Sequence, residues 1–358
     1  MMKFLFEAEK SGKDWTRAFG CAVLMCIFTL LLTGCATEQG AEISLHRYEY
    51  GELHMASLFR ITLYASNQAE ADEAAVAAFQ KIEELNNCMS DYDANSELMR
   101  LCAQPYGTPV KVSDDLFEIL AESQRVARES DGAFDVTVGP YVRLWRAARK
   151  KKVLPTEAEL AEARKEVGYQ KLLLNARGKT VILTVPNMKL DLGGIAKGYA
   201  ADKALQVLKS KGVTRAMVAA SGDIALGDAP PGHAGWAIGI ASIDPKDAKV
   251  TKTVLLKNAG ISTSGDTEQF VEIGGKRYSH VVDTQTGLGL TIRIQATIIG
   301  PNATITDGLD NTVCALGVER GLALIDSLPK TAALVVTENE QGRRVYQSKR
   351  FKALKFQP

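Results

Sequence analysis

The chain has 358 residues, with 43 Lys+Arg against 42 Asp+Glu, and 46% of its side chains are hydrophobic. A formal charge of +1 leaves no basic surplus to neutralise phosphates along a nucleic acid, so a nucleic-acid binder is excluded. The apolar content suffices for a sizeable core, against wholesale disorder, and six cysteines in this length do not make a disulfide-dense scaffold.

Residues 1–17 carry Lys3, Lys10, Lys13 and Arg17, interrupted by Glu7, Glu9 and Asp14, and a mostly apolar run follows over 18–32. At about 15 residues the run is short for a membrane span, which needs roughly 20, but it fits the apolar part of a secretion signal. It ends in Leu32-Thr33-Gly34-Cys35, small residues directly before a cysteine, which resembles a bacterial lipoprotein lipobox. Residues 1–34 are therefore expected to be a signal peptide, Cys35 the lipidated first residue, and 35–46 a tether. An uncleaved membrane anchor is the alternative. Either way the body is expected in the bacterial cell envelope, facing the periplasm and held at the inner membrane, with acyl chains contributing about 0.8 kcal/mol per buried CH₂. Loss of the signal leaves 324 residues with 39 charges of each sign. Cys88, Cys102 and Cys314 would then meet an oxidising compartment, where a Cys88–Cys102 bridge stays open as a possibility. Thiols with no catalytic role are the plainer reading.

The body, 47–358, begins strand-like over 48–65, with Leu53, Met55, Leu58, Ile61 and Leu63. Ala71, Ala75, Ala78, Phe79, Ile82 and Leu85 recur at steps of three and four, which predicts a helix over 68–87. A second helix is predicted over 114–130, entered through Ser113-Asp114-Asp115 and stopped by Ser130-Asp131-Gly132. The charge run 149–152 reads as a solvated helix end. Short strands are predicted at 171–174, 179–185, 235–242, 252–257, 268–273 and 293–299, helices at 195–211 and 306–326, and a closing hairpin at 331–337 with 343–347. Regular strand–helix alternation is missing, and turns such as Gly274-Gly275 favour antiparallel neighbours. The fold class is α+β, without a dinucleotide-binding unit of alternating strands and helices. No Pro/Gly/Ser-rich linker divides the body, so two lobes would be interleaved.

Four glycine- and acid-rich segments are candidates for chemistry. The first runs from Gly132 through Ala133, Phe134 and Asp135 to Pro140. The second, Asp191-Leu192-Gly193-Gly194-Ile195-Ala196-Lys197-Gly198, follows a strand and opens a helix, whose free N–H groups can hold an anion. It is not a Walker A loop, because Lys197 is followed by Gly198-Tyr199. The third is Ser279-His280-Val281-Val282-Asp283-Thr284-Gln285-Thr286-Gly287. The fourth puts Asp307, Asp310 and Asn311 on what reads as the first turn of a helix. Each has a plain structural explanation: a tight turn at Gly193-Gly194, or helix caps at Asp191 and Asp307. Yet Asp307 and Asp310 are three apart on one helical face, where hard oxygen ligands suit Mg²⁺. Of the four histidines, only His280 has such company; His46, His54 and His233 read as ordinary surface or core residues. Gly-x-Ser-x-Gly, His-Glu-x-x-His and Cys-x-x-Cys patterns do not occur, and the Asn302-Ala303-Thr304 glycosylation triplet reads as a chance match.

In this order, together with Ser221-Gly222-Asp223-Ile224 and Ser264-Gly265-Asp266, these segments resemble the ApbE family, the FAD:protein FMN transferases, over about 48–340. The resemblance implies an ApbE-like (T-fold-like) body of largely antiparallel sheets flanked by helices, on a lipoprotein. It implies a Mg²⁺-dependent reaction on FAD. A Thr or Ser hydroxyl of an acceptor subunit in a membrane redox complex attacks the phosphorus on the FMN side, and AMP leaves. It further implies metal ligation by the Gly194 carbonyl, Asp307 and Asn311, with Asp310 as an outer or second-metal ligand. Met55, Ala133, Phe134, Asp135, Asp191, Lys197 and Val282 would line the FAD site. His280 is the preferred base, its unperturbed pKa of about 6.5 suiting work near neutrality, and Asp283 would orient or replace it. Two residues depart from the family pattern. Asn311 stands where Thr is frequent, with Thr312 next, and Met55-Ala56-Ser57 replaces Met-Gly-Thr. Two other functions compete: Mg²⁺-dependent hydrolysis of FAD to FMN and AMP, and non-catalytic flavin binding.

Overall fold

The computed structural model describes residues 44–241, 250–265 and 270–357. The expected signal, the lipidation site Cys35 and Asp266 lie outside these residues. The first strand, β1 (His46–His54), begins at the last residue of the expected tether.

The 48–65 stretch that reads as one strand is a hairpin of β1 and β2 (Ser57–Ala65), paired from His46↔Ala65 to His54↔Ser57. Its two-residue turn is Met55-Ala56, both at positive φ (48° and 54°). That is the backbone of the tight hairpin turn that usually calls for Asn-Gly, so sequence alone gave no sign of a break. β2 then joins β6 (Ala216–Ala220), β7 (Asp223–Leu226), β10 (Ala259–Gly265), β13 (Arg293–Gly300), β14 (Ala332–Asn339) and β15 (Gly342–Gln347). With β1 they form an eight-stranded sheet in the order β1-β2-β6-β7-β10-β13-β14-β15, every neighbouring pair antiparallel.

Alternation along the strands gives this sheet two buried faces. Phe59, Ile61, Leu63, Ala296, Ile298, Ala333 and Val335 pack into the main core. There they meet α1 (Gln68–Met89), α6 (Ala196–Ser210) and α7 (Ala303–Ser327) through residues such as Ile82, Ala200, Leu309 and Val313. Residues one step out of phase, Leu226, Ile261, Leu334 and Val336, form a second core with Trp236 and Ile238 of β8 (Trp236–Ala241) and Val254 of β9 (Val250–Leu256). The body, Leu45–Pro358, is one compact unit. The α+β class, with largely antiparallel sheets flanked by helices, is what the chain adopts.

The predicted helices at 68–87 and 114–130 correspond to α1 and α3 (Asp114–Glu129), the latter capped by Ser113 through Leu116 N. Between them lies α2 (Glu97–Cys102), after them come α4 (Gly139–Lys151) and α5 (Glu157–Glu166), and β3 (Val110–Lys111), β4 (Leu172–Asn175) and β5 (Thr180–Leu183) form a small sheet in the order β3-β5-β4. Arg149 and the exposed Lys150, Lys151 and Lys152 end α4 in solvent, as expected. Gly274 and Gly275, both at positive φ, turn β11 (Phe270–Ile273) into β12 (Lys276–Ser279). α7 is longer than predicted: it starts at Ala303 under an Asn302 cap and kinks at Gly317. Asp307, Asp310 and Asn311 therefore lie past the first turn, and Asp307 is not the helix's own cap. No helix of the described residues is long and apolar enough to cross a membrane. Among the described residues Cys88, Cys102 and Cys314 form no disulfide, so the Cys88–Cys102 bridge is not made.

Candidate active site

α6 and α7 cap each other. α6 has no side-chain cap of its own at Ile195. Asp307 Oδ2 of α7 supplies one, accepting the Gly198 N–H at 2.8 Å. In return Asp202 of α6 accepts from Ala303 N at 3.0 Å and Thr304 N at 2.8 Å, at the start of α7. Both carboxylates satisfy the orphan N–H groups of a first helical turn, where the helix dipole favours negative charge. Gly198 permits the close approach. A Cβ there would lie 2.7 Å from the Ala303 carbonyl carbon and 2.8 Å from Asp307 Cβ.

At this junction Asp307 and Asp310 meet Asp223, which arrives from β7 behind the tight turn Ser221-Gly222. One oxygen from each carboxylate lies within 4.8 Å of the others, and all three residues are buried. Lys197, on the first turn of α6, forms an ion pair with Asp223. Asp310 Oδ1 is buried without a hydrogen-bond partner. Burial and the charge of Asp223 push Asp307 up to about 7, with Lys197 opposing them. Asp310 is raised well above the usual carboxylate range by burial, Asp223 and Asp307. Burial works against the Lys197 charge, but Asp307 and Asp223 outweigh it and hold the amine above its ordinary value. Fully ionised, three carboxylates against one ammonium would carry two units of negative charge, and a buried carboxylate oxygen without a partner is costly. Hard oxygen donors with that excess fit a divalent cation such as Mg²⁺.

Asn311 joins the group from one helical position further on. Its Nδ2 donates to Asp307 O at 3.3 Å, and its Oδ1 accepts from Ser264 Oγ at 2.8 Å. The Cβ position of Gly194 is 3.5 Å from both Asn311 Nδ2 and Phe134 Cε2, so Gly194, Asn311 and Phe134 meet at one point. The Thr312 hydroxyl, by contrast, donates to Gly308 O at 2.6 Å inside its own helix. Of the two neighbours, Asn311 is the one beside Gly194.

Several of the remaining predicted residues sit on loops that hydrogen bonds tie to one another and to the start of α6. Asp191 N donates to Val136 O at 2.8 Å, tying the Phe134 loop to the Gly193-Gly194 loop. Asp191 Oδ1 accepts from Gly193 N at 2.8 Å, and its Oδ2 faces Arg146 at 3.2 Å. Arg146 also pairs with Asp91 and lies over the Tyr92 ring. Asp135 Oδ1 accepts from Thr137 N and Oγ1, so that carboxylate shapes its own loop beside Ala133 and Phe134. The Thr284 hydroxyl donates to Gly132 O at 2.8 Å, which fastens the 280–287 loop to the same wall. His280 opens that loop, half-buried, directly after β12. Val282 is partly buried against both small cores to which α4 contributes, one with Trp145 and one with Tyr141. Asp283 Oδ1 accepts from Gln285 N at 2.8 Å, so one of its oxygens is taken by the turn. Met55 is at the tip of the β1–β2 hairpin, packed against the main core.

Asp223 is the member of the cluster that was not singled out from the sequence. Its Ser-Gly-Asp segment was visible, but only the pairing of β7 with β6 and β10 carries it to α7.

A buried acidic group that fits a hard divalent cation, beside glycine-rich loops and a helix N-terminus, is the pattern of a phosphate-handling enzyme. The chain belongs to the ApbE family, which its sequence matches over residues 55–335. It is 31% identical over 274 residues to a FAD:protein FMN transferase of Vibrio cholerae, spanning 76% of this chain and 81% of that protein. A protein of the same name from Klebsiella pneumoniae is 28% identical over 334 residues, 90% of this chain and 94% of its own length. Among solved structures, the flavin transferase ApbE from Vibrio cholerae is similar with a TM-score of 0.79 at 29% identity, covering 87% of this chain and all of that one.

Proposed function

We propose that this chain is a FAD:protein FMN transferase, which passes the FMN part of FAD to a Thr or Ser hydroxyl of a partner protein and releases AMP. The observation that carries the reading is the buried group of Asp223, Asp307, Asp310 and Lys197 with its unpartnered Asp310 oxygen, in a chain of the ApbE family. Asp307, Asp310, Asn311 and the Gly194 carbonyl would hold Mg²⁺, which when bound would neutralise pyrophosphate charge.

The rest is work for the protein's own groups, because phosphoryl transfer needs positioning and charge neutralisation more than covalent help. Met55, Ala133, Phe134, Asp135, Asp191, Lys197 and Val282 line the FAD site. Phe134 offers an apolar wall beside Gly194, where the absence of a side chain lets a ligand approach the backbone. The cationic, partly exposed Lys197 donates to phosphate oxygens. His280 takes the proton of the acceptor hydroxyl as its oxygen bonds to the FMN-side phosphorus, while Asp283 shapes the loop that orients it. The bond from that phosphorus to the bridging oxygen breaks, and AMP departs with the electron pair.

The same reading places the enzyme in the cell envelope, anchored through lipidated Cys35 and facing the periplasm, with a subunit of a membrane redox complex as acceptor. The Leu32-Thr33-Gly34-Cys35 sequence after an apolar run supports it. Incubation with FAD, Mg²⁺ and such an acceptor should leave a flavin-fluorescent band that survives denaturing electrophoresis. AMP release that ignores the acceptor would instead favour FAD hydrolysis. Unaltered FAD would leave only flavin binding.

A further inference from the structure

Asp223 is used differently from the two carboxylates it meets. Its side chain is 2% exposed and is the ion-pair partner of Lys197. Asp307 gives one oxygen to the Gly198 N–H, and Asp310 Oδ1 has no partner. The turn that delivers Asp223 has little freedom. Ser221 is held at φ 57°, and a Cβ on Gly222 would lie 2.7 Å from Thr263 O. Lys197 and Asp223 cancel as a pair, so Asp307 and Asp310, once ionised, would match the charge of one divalent cation.

From this geometry we propose that Asp223 is a positioning residue. By engaging Lys197 it keeps the ammonium off Asp307 and Asp310, so that those two carboxylates stay open to a divalent cation. The inference rests on the reading of Asp307 and Asp310 as cation ligands and adds a role that reading does not require. Lys197 is next to Gly198, whose N–H already bonds Asp307. Freed from Asp223, its ammonium would find Asp307 and Asp310 as its nearest counter-charges. It would then act as a tethered competitor, present at the high effective concentration of any group linked by a short chain. Asp223 thus raises cation affinity without ligating the cation.

Direct Mn²⁺ titration followed by the electron paramagnetic resonance of free Mn²⁺, on the full chain in detergent, separates the possibilities. Asp223→Asn should weaken Mn²⁺ binding by about tenfold or more, equivalent to about 1.4 kcal/mol. Lys197→Met alone should bind at least as tightly as wild type. The double variant Asp223→Asn with Lys197→Met should return to within about twofold of wild type, the range expected when the competitor and its keeper are removed together. If Asp223 is itself a ligand, the double variant stays as weak as Asp223→Asn, and the proposal is overturned. Wild-type affinity in Asp223→Asn overturns it as well. If Asp223→Asn does not fold, Lys197→Met decides, because weakened binding there would mean the ammonium supports the cation site. Absence of Mn²⁺ binding by the wild type would remove the cation-site reading itself, a failure distinct from the others.

Discussion

Replacing Gly198 with alanine tests whether the site is held by the mutual contact of α6 and α7. The added methyl would sit 2.7 Å from the Ala303 carbonyl carbon, closer still to its oxygen, and 2.8 Å from Asp307 Cβ. Two of these atoms are backbone and cannot rotate away, so the helices must separate. Overpacking of this kind costs about 1–3 kcal/mol, and the rigid neighbours put it toward the upper end. With about 2.1 cal/mol/K of unfolding entropy per residue, a body of this size loses roughly 1.5 °C per kcal/mol, so the melting temperature should fall by about 3–5 °C. The same movement loosens the 2.8 Å bond from Gly198 N to Asp307. A displacement of about 1 Å at a catalytic group can cost about 10²-fold in rate, so FMN transfer should drop by that order even below the melting transition. Gly308→Ala is the matched control on α7. Its Cβ would make ordinary contacts, 3.5 Å from Ile195 Cδ1 and 3.6 Å from Val126 Cγ2. There the alanine should be neutral or gain about 0.5–1 kcal/mol of helix stability. Thermal melts and transfer rates of the pair are the assay. Wild-type melting and turnover in Gly198→Ala would refute the account of the helix junction.

Three further outcomes are expected. Ala56→Gly should stabilise the body by about 0.5–1 kcal/mol, because Ala56 is held at φ 54° where glycine has no steric cost; a denaturant midpoint unchanged or lowered would contradict this. Without a cation, Asp307 is pushed up to about 7, against an ordinary carboxylate value of about 3.9. Between those values the folded state binds a proton that the unfolded chain does not, so this group's penalty on stability grows as pH rises through that window. A cation relieves the penalty, and the Mg²⁺-induced gain in melting temperature should therefore be larger near pH 8 than near pH 6; an equal or smaller gain at the higher pH would count against it. Cys88, pushed up to about 12 by burial and Glu97, should react slowly with thiol reagents at neutral pH until the protein unfolds, and rapid modification of the native protein at that position would contradict its placement.

Much of the architecture was readable because its elements follow one period. α1 and α3 bury apolar residues at helical spacing, and Ser113 caps α3 in the way its position suggests. β6, β7 and β10 were missed because their strength is positional. Ala216–Ala220 is a five-residue run of Ala, Met and Val, and Ala259–Gly265 is built mostly from small and hydroxylated residues; neither alternates large apolar with polar side chains. Two helices did carry signals. α5 opens with a complete capping box between Thr156 and Glu159, and α4 has Pro140 near its start with Tyr141, Trp145 and Ala148 on one face. At the site, Asp307 and Asp310 were visible as a pair on one helical face. Asp223 was not assigned, because no local spacing links it to them; their meeting is a product of sheet order. The two departures from the family pattern become concrete in the fold. Asn311 stands beside Gly194 while Thr312 bonds within its helix, and Ala56 occupies a turn position that favours glycine.

The central claim is that this chain moves FMN covalently from FAD to another protein. The intact mass of an acceptor subunit, measured after incubation with the enzyme, FAD and Mg²⁺ while AMP is quantified in the same tube, tests it most directly. The acceptor should gain the mass of one FMN in phosphoester linkage, with one AMP released for each acceptor modified, and Asp310→Ala should abolish both. An acceptor of unchanged mass, or AMP released in the absence of any acceptor modification, would contradict the assignment.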